Sequence, residues 1–342
     1  MKKIVILSAF LTPMRSGAEA CAEEVPLALK DQFDFTIVTA RMRKDLPKKD
    51  MLQGKIPIVR VGFGSTFDKW LFPFLAPIAS NKLKPDVVHA VLETFAGLAL
   101  VFCKAPKKIL TCQTTNRSFL KGFIVRSAGV VTCISRTLKQ TLAELGREEV
   151  HLISNGIKSD LLCDARLRVE RVPGSILFVG RLERMKGIDT LLKAVAEIPG
   201  ATLHIVGDGS QKKLLSKLTT ELGITDRVEF LGYVQPERIA QEYAAAQVFC
   251  GLSRSEALGN VFLEAQAAGC AVIGTSVGGI PDIIEHERTG LIVPPNDSAA
   301  ATKAIKRAME DEDLCNRITE GGAAHAQQFD WGVIAGKYAQ LY

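Results

Sequence analysis

The sequence is poor in aromatic residues, and it lacks long apolar runs and closely paired cysteines. Aromatic side chains make up 6% of the 342 residues, so we expect aliphatic cores. No window approaches about 18 consecutive apolar residues free of glycine, proline and charge, so a membrane-spanning helix is not expected. The eight cysteines never form a C-x-x-C motif, so neither a zinc site nor a disulfide framework is indicated. Reduced, buried thiols in a cytosolic protein fit this usage better.

The overall composition is that of an ordinary soluble protein with two domains. Hydrophobic residues account for 47% of the chain and charged residues for 23%, and a chain of this length usually forms about two domains. The first residues could pass for a short leader, but Pro13 and Arg15 follow at once and no convincing cleavage site is present. We therefore predict a first β-strand there and a cytoplasmic protein.

Charge is distributed unevenly along the chain. Residues 1–160 contain 24 basic and 14 acidic residues, whereas residues 161–342 contain 19 and 23. The basic first half indicates either an anionic partner, such as a phosphate or an acidic lipid, or a solvated basic face without a partner. The aromatic interleaving typical of nucleic-acid-binding surfaces is absent, so we predict no nucleic-acid partner.

Short β-branched runs alternate with amphipathic helical patterns along the whole chain. This alternation is typical of parallel sheets that are covered by helices on both faces. The pattern restarts after an Arg-rich segment that contains Pro173-Gly174, so we predict an α/β protein of two Rossmann-like, doubly wound domains facing a central cleft. The predicted boundaries are 1–162 for the first domain, 163–174 for a linker, 175–325 for the second domain and 326–342 for a helical tail.

Two cations follow the first predicted strand of the second domain. Ligands of open α/β sheets bind at the carboxyl ends of the strands, and the segment 180–187 holds Arg181 and Lys186 at such an end. A planar guanidinium and an ammonium group suit the clamping of a diphosphate. The alternative interpretation is an ordinary solvated loop.

A helix start follows another predicted strand of the second domain. Gly259 and Asn260 open this helix, whose free N–H groups would point at an anion. Glu264 comes one turn later on the same face, where its carboxylate could accept hydrogen bonds from a ribose diol. Glu256 precedes the helix and could hold sugar hydroxyls. Alternatively, Glu256 only complements the helix N-terminus and Glu264 is a surface residue.

The glycines at other strand ends give little support to a nicotinamide dinucleotide site. Gly17 is a single glycine after the first strand, where it would let a substrate approach the backbone closely. Gly207-Asp208-Gly209 matches the G-x-G-x-x-G fingerprint only in part. We therefore predict no nicotinamide cofactor.

Together these segments resemble family 4 of the retaining glycosyltransferases, which have the GT-B fold. The likeness covers essentially the whole chain and is strongest over residues 176–294. The helical tail near Trp331 resembles the family's last helix, which crosses back toward the first domain. The matching segments are Gly180-Arg181-Leu182 with Lys186-Gly187, Val206-Gly207-Asp208-Gly209, 230–233, 256–264, 265–273, 278–282, Gly290-Leu291 and Asn155-Gly156-Ile157.

The resemblance implies transfer of a hexosyl group from a nucleotide-diphospho-sugar, with UDP or GDP, to a glycan, lipid or lipid-linked acceptor. It implies that Arg181 and Lys186 hold the donor diphosphate, that Glu256 contacts the donor sugar and that Glu264 binds the ribose hydroxyls. We take the first three as the predicted catalytic residues. The other implied donor-binding positions are Gly17 closing over the phosphate, Gly180, Gly232 and Tyr233 along the base, and the backbone of Leu258, Gly259, Asn260 and Val261 around the sugar and phosphate.

Two further positions of the first domain match the family's acceptor or sugar side. Gln113 stands where the family often has histidine, and a glutamine amide cannot carry the proton. His89 either faces the cleft or is structural. No convincing Asp-x-Asp pair is present to hold a divalent metal. We therefore expect no cofactor and no metal, with Arg181, Lys186 and the helix start at Asn260 supplying the positive potential.

The acceptor side is less well defined. The bulky apolar segment 70–75 has basic residues near it in the sequence, which suits peripheral docking on an anionic membrane at its inner face. A core-packed helix with basic loops is the alternative. Two other functions stay open, namely a sugar-nucleotide epimerase of similar architecture and a non-catalytic nucleotide-sugar-binding protein.

Overall fold

The computed structural model describes residues 1–14, 17, 19–115 and 119–342, which divide into two compact units. The first unit comprises Met1–Gly156 together with Trp331–Tyr342, and the second comprises Ile157–Asp330. The boundary expected after residue 162 therefore lies several residues beyond the observed one. The end of the chain is part of the first unit.

The first unit is built on a predominantly parallel sheet. Its described residues form strands β1 (Lys3–Leu7), β2 (Asp34–Ala40), β3 (Lys49–Leu52), β4 (Ile56–Val61), β5 (Val87–Val91), β6 (Lys107–Cys112), β7 (Val130–Cys133) and β8 (His151–Leu152). Their helices are α1 (Ala20–Leu29), α2 (Asp68–Lys82), α3 (Phe95–Phe102), α4 (Phe119–Ser127), α5 (Arg136–Glu144) and, from the end of the chain, α13 (Trp331–Ala339). The spatial strand order is β3-β4-β2-β1-β5-β6-β7-β8, and β3 is antiparallel to β4 while the other neighbours run parallel.

Helix α13 completes the core of the first unit. Trp331, Ile334 and Tyr338 are buried together with residues of β1, β2 and α1. Helix α13 packs against α1, and the Nζ of Lys2 donates a hydrogen bond to the carbonyl oxygen of Tyr342 at 3.1 Å. Segments that are far apart in sequence therefore share one aliphatic and aromatic core.

A buried polar network joins the tail to the sheet. His89 lies in β5, where all residues are buried, and its side chain is 0% exposed. Its Nδ1 lies 2.8 Å from the hydroxyl of Tyr342, and its Nε2 lies 2.7 Å from the hydroxyl of Thr111. Both ring nitrogens are thus used inside the core. Burial lowers the pKa of His89 to about 3.

The second unit is a second parallel α/β structure. Its described residues form strands β9 (Val172–Val179), β10 (Thr202–Val206), β11 (Val228–Gly232), β12 (Ala246–Gly251), β13 (Ala271–Thr275) and β14 (Leu291–Val293), in the spatial order β11-β10-β9-β12-β13-β14. Their helices are α6 (Ser159–Arg168), α7 (Ile188–Ala196), α8 (Lys212–Glu221), α9 (Pro236–Ala245), α10 (Asn260–Ala267), α11 (Ser298–Glu310) and α12 (Glu312–Ala326). The strand pairs are all parallel, which confirms the expected class of two parallel-sheet α/β units.

The core of the second unit is aliphatic, as its composition indicates. Strands β9, β10, β12 and β13 contribute buried residues to one cluster with the inner faces of α7, α11 and α12. Helices α11 and α12 begin at aspartates: Asp297 accepts a hydrogen bond from the N–H of Ala300, and Asp311 accepts one from the N–H of Leu314. These side-chain caps satisfy N–H groups that have no partner within the helix.

The segment 163–174 is not a linker. Its first part belongs to α6, which begins at Ser159, and its last part belongs to β9, which begins at Val172. Arg171 anchors the turn between them, because its guanidinium donates hydrogen bonds to the carbonyl oxygens of Ala268 and Gly269. The arginines of this segment occupy exposed positions of α6 and this half-buried contact of Arg171. In the sequence alone such a composition resembles that of a linker.

All eight cysteines are free thiols. Six of them, namely Cys21, Cys103, Cys112, Cys133, Cys250 and Cys270, are buried, and Cys163 and Cys315 are half-buried. Burial raises the pKa of Cys21 to about 12, against a smaller opposing effect of Tyr338. Separately, no helix in the described parts of the chain combines the length and the apolar character needed to cross a bilayer.

Buried His89 should make the stability of the first unit depend on pH. The pKa of His89 is near 6.5 when unfolded and about 3 when folded, so acid protonates the unfolded state first. Its contribution is fully present above about pH 6.5 and is lost by up to about 1.4 kcal/mol per pH unit below it. We expect His89→Gln to flatten this slope in urea unfolding between about pH 6.5 and about pH 4.

The matched control is His151→Gln, because His151 is solvent-exposed in β8. That variant should keep the wild-type slope. An equally steep slope in His89→Gln would show that buried His89 does not take part in the pH response.

Candidate functional site

The strand order of the second unit reverses between β9 and β12. These strands are neighbours in the sheet, although β10 and β11 separate them in sequence. The chain therefore winds outward in opposite directions from this pair, and the carboxyl ends of such strands border the usual ligand site of open α/β sheets. The loop after β9 carries Arg181 and Lys186, and the loop after β12 carries Glu256.

Glycines let the loops at this edge touch. Gly187 has a φ of +67°, and a Cβ on it would overlap the carbonyl oxygen of Leu252 after β12. Gly207 after β10 has a φ of +129°, and a Cβ there would overlap the carbonyl oxygen of Gly180. Side chains at these positions would force the loops apart. The N–H of Gly180 also donates a hydrogen bond to Val206 at 3.0 Å.

An ion pair joins the loops that follow β9 and β12. The Nζ of Lys186 lies 2.5 Å from Oε2 of Glu256, and the two side chains are 17% and 14% exposed. The hydroxyl of Ser253 donates to the same oxygen at 3.4 Å. Arg181, which precedes Lys186 in the same loop, is exposed to solvent. Two predicted catalytic residues are thus in direct contact, and both side chains are largely buried.

Arg254 holds the two loops in place. Its backbone N–H donates to Met185 at 2.7 Å, and its guanidinium contacts Asp189 Oδ2 at 2.7 Å and the carbonyl oxygen of Arg184 at 2.5 Å. Burial raises the pKa of Asp189, but the hydrogen bond and the charge of Arg254 outweigh this and leave it lowered. Asp189 therefore stays ionised, and the anchor keeps Lys186 facing Glu256.

Helix α10 begins at the same edge. Gly259 precedes it with a φ of +94°, and a Cβ there would press on the ring of Phe262. Among the described residues, no side chain caps the first turn. Leu258 is buried, whereas Asn260 and Val261 are half-buried. The N–H groups of this turn and the helix dipole together favour a negative charge here.

Glu264 is positioned by a buried tyrosine one turn into α10. The hydroxyl of Tyr243 in α9 donates a hydrogen bond to Glu264 Oε2 at 2.8 Å. Burial, with the charge of Glu264, raises the pKa of Tyr243, so this hydroxyl stays a donor. At the end of β11, Gly232 has a φ of +67° and Tyr233 is 79% exposed.

The first unit has its own strand-order reversal between β1 and β5. Gly17, in the loop after β1, lies in an exposed turn, and its neighbours Arg15, Ser16 and Ala18 fall outside the described residues. After β6, Gln113 is 4% exposed, and its Oε1 accepts a hydrogen bond from Asn155 Nδ2 at 2.8 Å.

Glu93 was not singled out in the sequence, although it follows β5 at this reversal. Its carboxylate accepts hydrogen bonds from the N–H groups of Gln113 and Thr114 at 2.9 and 3.0 Å and from the Thr114 hydroxyl at 2.5 Å. Lys121 Nζ lies 2.8 Å from Glu93, and the two side chains are 5% and 1% exposed. The signal that could have found Glu93 is a carboxylate directly after a central strand.

The structure corrects one predicted site residue. His89 was placed on the acceptor side or in the core, and it lies in the core. Because Thr111 and Tyr342 occupy both ring nitrogens, the side chain has no nitrogen left for a substrate. The alternative that treats His89 as structural is the one that the geometry supports.

Removing one partner of the Glu93–Lys121 pair should destabilise the first unit. We expect Lys121→Met to cost about 3–5 kcal/mol, because it leaves a buried carboxylate without its cation. Both tryptophans of the chain, Trp70 and Trp331, belong to this unit. Their fluorescence during urea unfolding therefore measures its stability.

Two further variants test this interpretation. The double variant Glu93→Gln/Lys121→Met should recover a large part of the loss, because no charge stays unpaired. Exposed Lys139 in α5 provides the control Lys139→Met, which should change little. A Lys121→Met protein as stable as this control would refute the buried pair.

Models of two families match the chain in succession. The model described as Glycosyltransferase Family 4 matches residues 15–161, and the model described as Glycosyl transferases group 1 matches residues 169–325. The first match falls mainly in the first unit, and the second match lies within the second unit. Together they agree with the resemblance that the sequence motifs indicate.

Two glycosyltransferases are also similar to this chain in sequence. LpsE of Rhizobium meliloti, a lipopolysaccharide core biosynthesis glycosyltransferase, is 31% identical over 81% of both chains. The D-inositol 3-phosphate glycosyltransferase of Streptomyces scabiei is 38% identical over 80% of this chain, and the chain spans 66% of its length.

A solved structure carries the same fold. Anabaena HepE, solved in complex with UDP-glucose, superposes with a TM-score of 0.81 and 23% identity, over 100% of this chain and 99% of that one. The fold of the two units is therefore that of the GT-B glycosyltransferases. From the match to LpsE and the two family models, we conclude that the chain is a glycosyltransferase and belongs to family 4.

Proposed function

We propose that the protein transfers a hexosyl group, with retention of configuration, from a UDP- or GDP-linked sugar to a glycan, lipid or lipid-linked acceptor. The observation that carries this proposal is the half-shielded Lys186–Glu256 pair beside the uncapped start of α10. The complex of HepE with UDP-glucose supports a nucleotide-sugar donor. The name of LpsE supports a glycan acceptor of lipopolysaccharide type.

The donor diphosphate would lie against fixed positive charge. Arg181 offers a planar fork for two oxygens, and the ammonium of Lys186 has three donors, of which Glu256 uses one. The first turn of α10 adds N–H groups and the positive end of its dipole. These groups would stabilise the charge that develops on the leaving phosphate, so we propose that the reaction needs no divalent metal. Each such group typically lowers the activation barrier by about 3 kcal/mol.

Glu256 would do two things at this point. Its ion pair fixes the position of the Lys186 ammonium, and its remaining carboxylate oxygen can accept hydrogen bonds from hydroxyls of the donor sugar. Glu264 would accept hydrogen bonds from the ribose diol one helical turn away, with Tyr243 fixing the orientation of its carboxylate. The backbone from Leu258 to Val261 would lie between these two contacts.

Retention follows if the acceptor attacks on the face from which the leaving group departs. The bond from the acceptor oxygen to the anomeric carbon forms as the bond from that carbon to the phosphate oxygen breaks. The acceptor proton passes to the departing phosphate oxygen. No side chain is then needed as a base, which agrees with Gln113 standing where a proton-carrying residue would otherwise be expected.

Substituting the cations should slow the reaction strongly. We expect Arg181→Ala and Lys186→Ala each to lower turnover by about a hundred-fold or more, with the fold preserved. Nucleotide release from a panel of UDP- and GDP-sugars measures this, in the presence of EDTA. Exposed Lys213 in α8 provides the control Lys213→Ala.

Two results would contradict the proposal. Near-normal turnover in both site variants would show that Arg181 and Lys186 do not bind the donor diphosphate. Activity that vanishes in EDTA and returns with magnesium or manganese would refute the proposal that the reaction needs no metal. It would not contradict the proposed transferase function.

Glu264 should make the protein prefer donors with a ribose over donors with a 2′-deoxyribose. Glu264→Gln keeps the shape but removes the charge and one acceptor, so donor binding should weaken about ten-fold or more. The variant should also discriminate less between ribonucleotide and 2′-deoxyribonucleotide. Titration of both nucleotides into wild type, Glu264→Gln and the exposed control Glu221→Gln measures this. An unchanged preference for the ribonucleotide would mean that the ribose lies elsewhere.

A further inference from the structure

Helix α2 of the first unit presents an apolar side to solvent. Phe67, just before the helix, and Trp70, Phe74 and Ile78 within it are 60%, 57%, 61% and 57% exposed. Their spacing of three and four residues places them along one side. The helix as a whole packs on α3, β2 and β4. Single exposed apolar residues are common, but a row of them on one helix is not explained by the core.

Ring contacts extend this side onto α3. Trp70 packs edge-on against Phe95 with centroids 5.0 Å apart, and Phe74 stacks with Phe102 at 6.4 Å. Phe102 is itself 52% exposed. We define the aromatic face as Phe67, Trp70, Phe74, Ile78 and Phe102.

The two helices of the aromatic face expose no carboxylate. The acidic residue within α2 and α3 is Asp68, which is 1% exposed. Its Oδ2 accepts hydrogen bonds from the N–H groups of Gly64 and Ser65 at 2.7 and 3.2 Å. It therefore acts as a local cap and contributes little negative charge to the surface.

Lysines lie at one end of the aromatic face. Lys82 and Lys84 are exposed at the end of α2. Lys104 is exposed after α3, and its N–H donates to Asn81 Oδ1 of α2 at 2.7 Å. The next exposed carboxylate in the sequence, Asp86, accepts a hydrogen bond from the N–H of Lys3. At this end the aromatic face is thus bordered by cations.

We propose that the aromatic face docks the protein on an anionic lipid bilayer, with its rings among the headgroups and its lysines on lipid phosphates. Exposed aromatic rings beside lysines are the composition that suits the interface of an anionic membrane. A symmetric contact with a second copy would bring these lysines against helices without an exposed carboxylate, so charge disfavours it. The proposal does not depend on the donor site.

Vesicle sedimentation of the full chain tests the proposal. We expect binding to vesicles of equal parts phosphatidylcholine and phosphatidylglycerol, little binding to phosphatidylcholine alone, and weaker binding at high salt. Trp70→Ser/Phe74→Ser should lower the affinity about ten-fold or more. Lys82→Gln/Lys104→Gln should lower it about five-fold for each charge removed.

Matched controls come from the second unit. Leu167 and Leu214 are 84% and 62% exposed, so Leu167→Ser/Leu214→Ser removes comparable apolar surface. Lys213→Gln/Lys217→Gln removes two exposed charges. Both controls should bind vesicles as wild type does. Nucleotide release from the donor should be unchanged in the aromatic-face variants, which separates failure of this proposal from failure of the proposed reaction.

Tryptophan emission gives a second measurement. Trp70 is exposed, whereas Trp331 is 7% exposed, so a blue shift on adding anionic vesicles should come from Trp70. Trp70→Phe should still bind vesicles but lose most of the shift. The proposal is overturned if wild type does not prefer anionic vesicles, if the controls lose binding equally, or if the Trp70→Ser/Phe74→Ser change only dissociates a dimer.

Discussion

The parallel pairing of β9 with β12 is the constraint on which the candidate site of the second unit depends. Lys186 and Glu256 are 70 residues apart in sequence, and the loops that carry them meet because these strands are neighbours. Gly187 allows the close approach, Arg254 anchors it, and α10 starts from the same edge. The candidate site therefore depends on the order of the strands in the sheet. A different strand order would separate the ion pair, the Arg254 anchor and the start of α10 from one another.

The alternation of strand and helix patterns in the sequence predicts the central strands of each sheet. It does not predict the edge strands or the contacts between residues far apart in the sequence. Buried parallel strands are β-branched on both faces, so β9, β10, β12 and β13 stand out in the sequence. Strand β3 is an edge with three exposed residues, and the supposed linker is helix and strand. The sequence also indicates the loops after β9 and β12 and the helix α10 that carry the candidate residues. The contacts among those residues depend on strand order. The burial of His89 depends on Tyr342, 253 residues away.

The two units use charged side chains differently. In the first unit, Glu93 and Lys121 are almost wholly enclosed, and the carboxylate's other contacts are backbone N–H groups and a hydroxyl. Such a pair orders the turn at Gln113 and has little capacity left for a ligand. In the second unit, Lys186 and Glu256 keep part of their surface exposed, so a bound anion can still reach the ammonium. Burial thus separates a structural charge pair from one available for recognition.

Helix α13 sets the order in which the two units can be completed during synthesis. It belongs to the first unit, yet the whole of Ile157–Asp330 precedes it in the chain. The second unit is contiguous and can close as soon as it emerges from the ribosome. The first unit must wait, with the face of α1 that packs on α13 uncovered and with His89 lacking Tyr342. The half that is made first is therefore finished last, and part of its apolar surface stays uncovered until α13 has been synthesised.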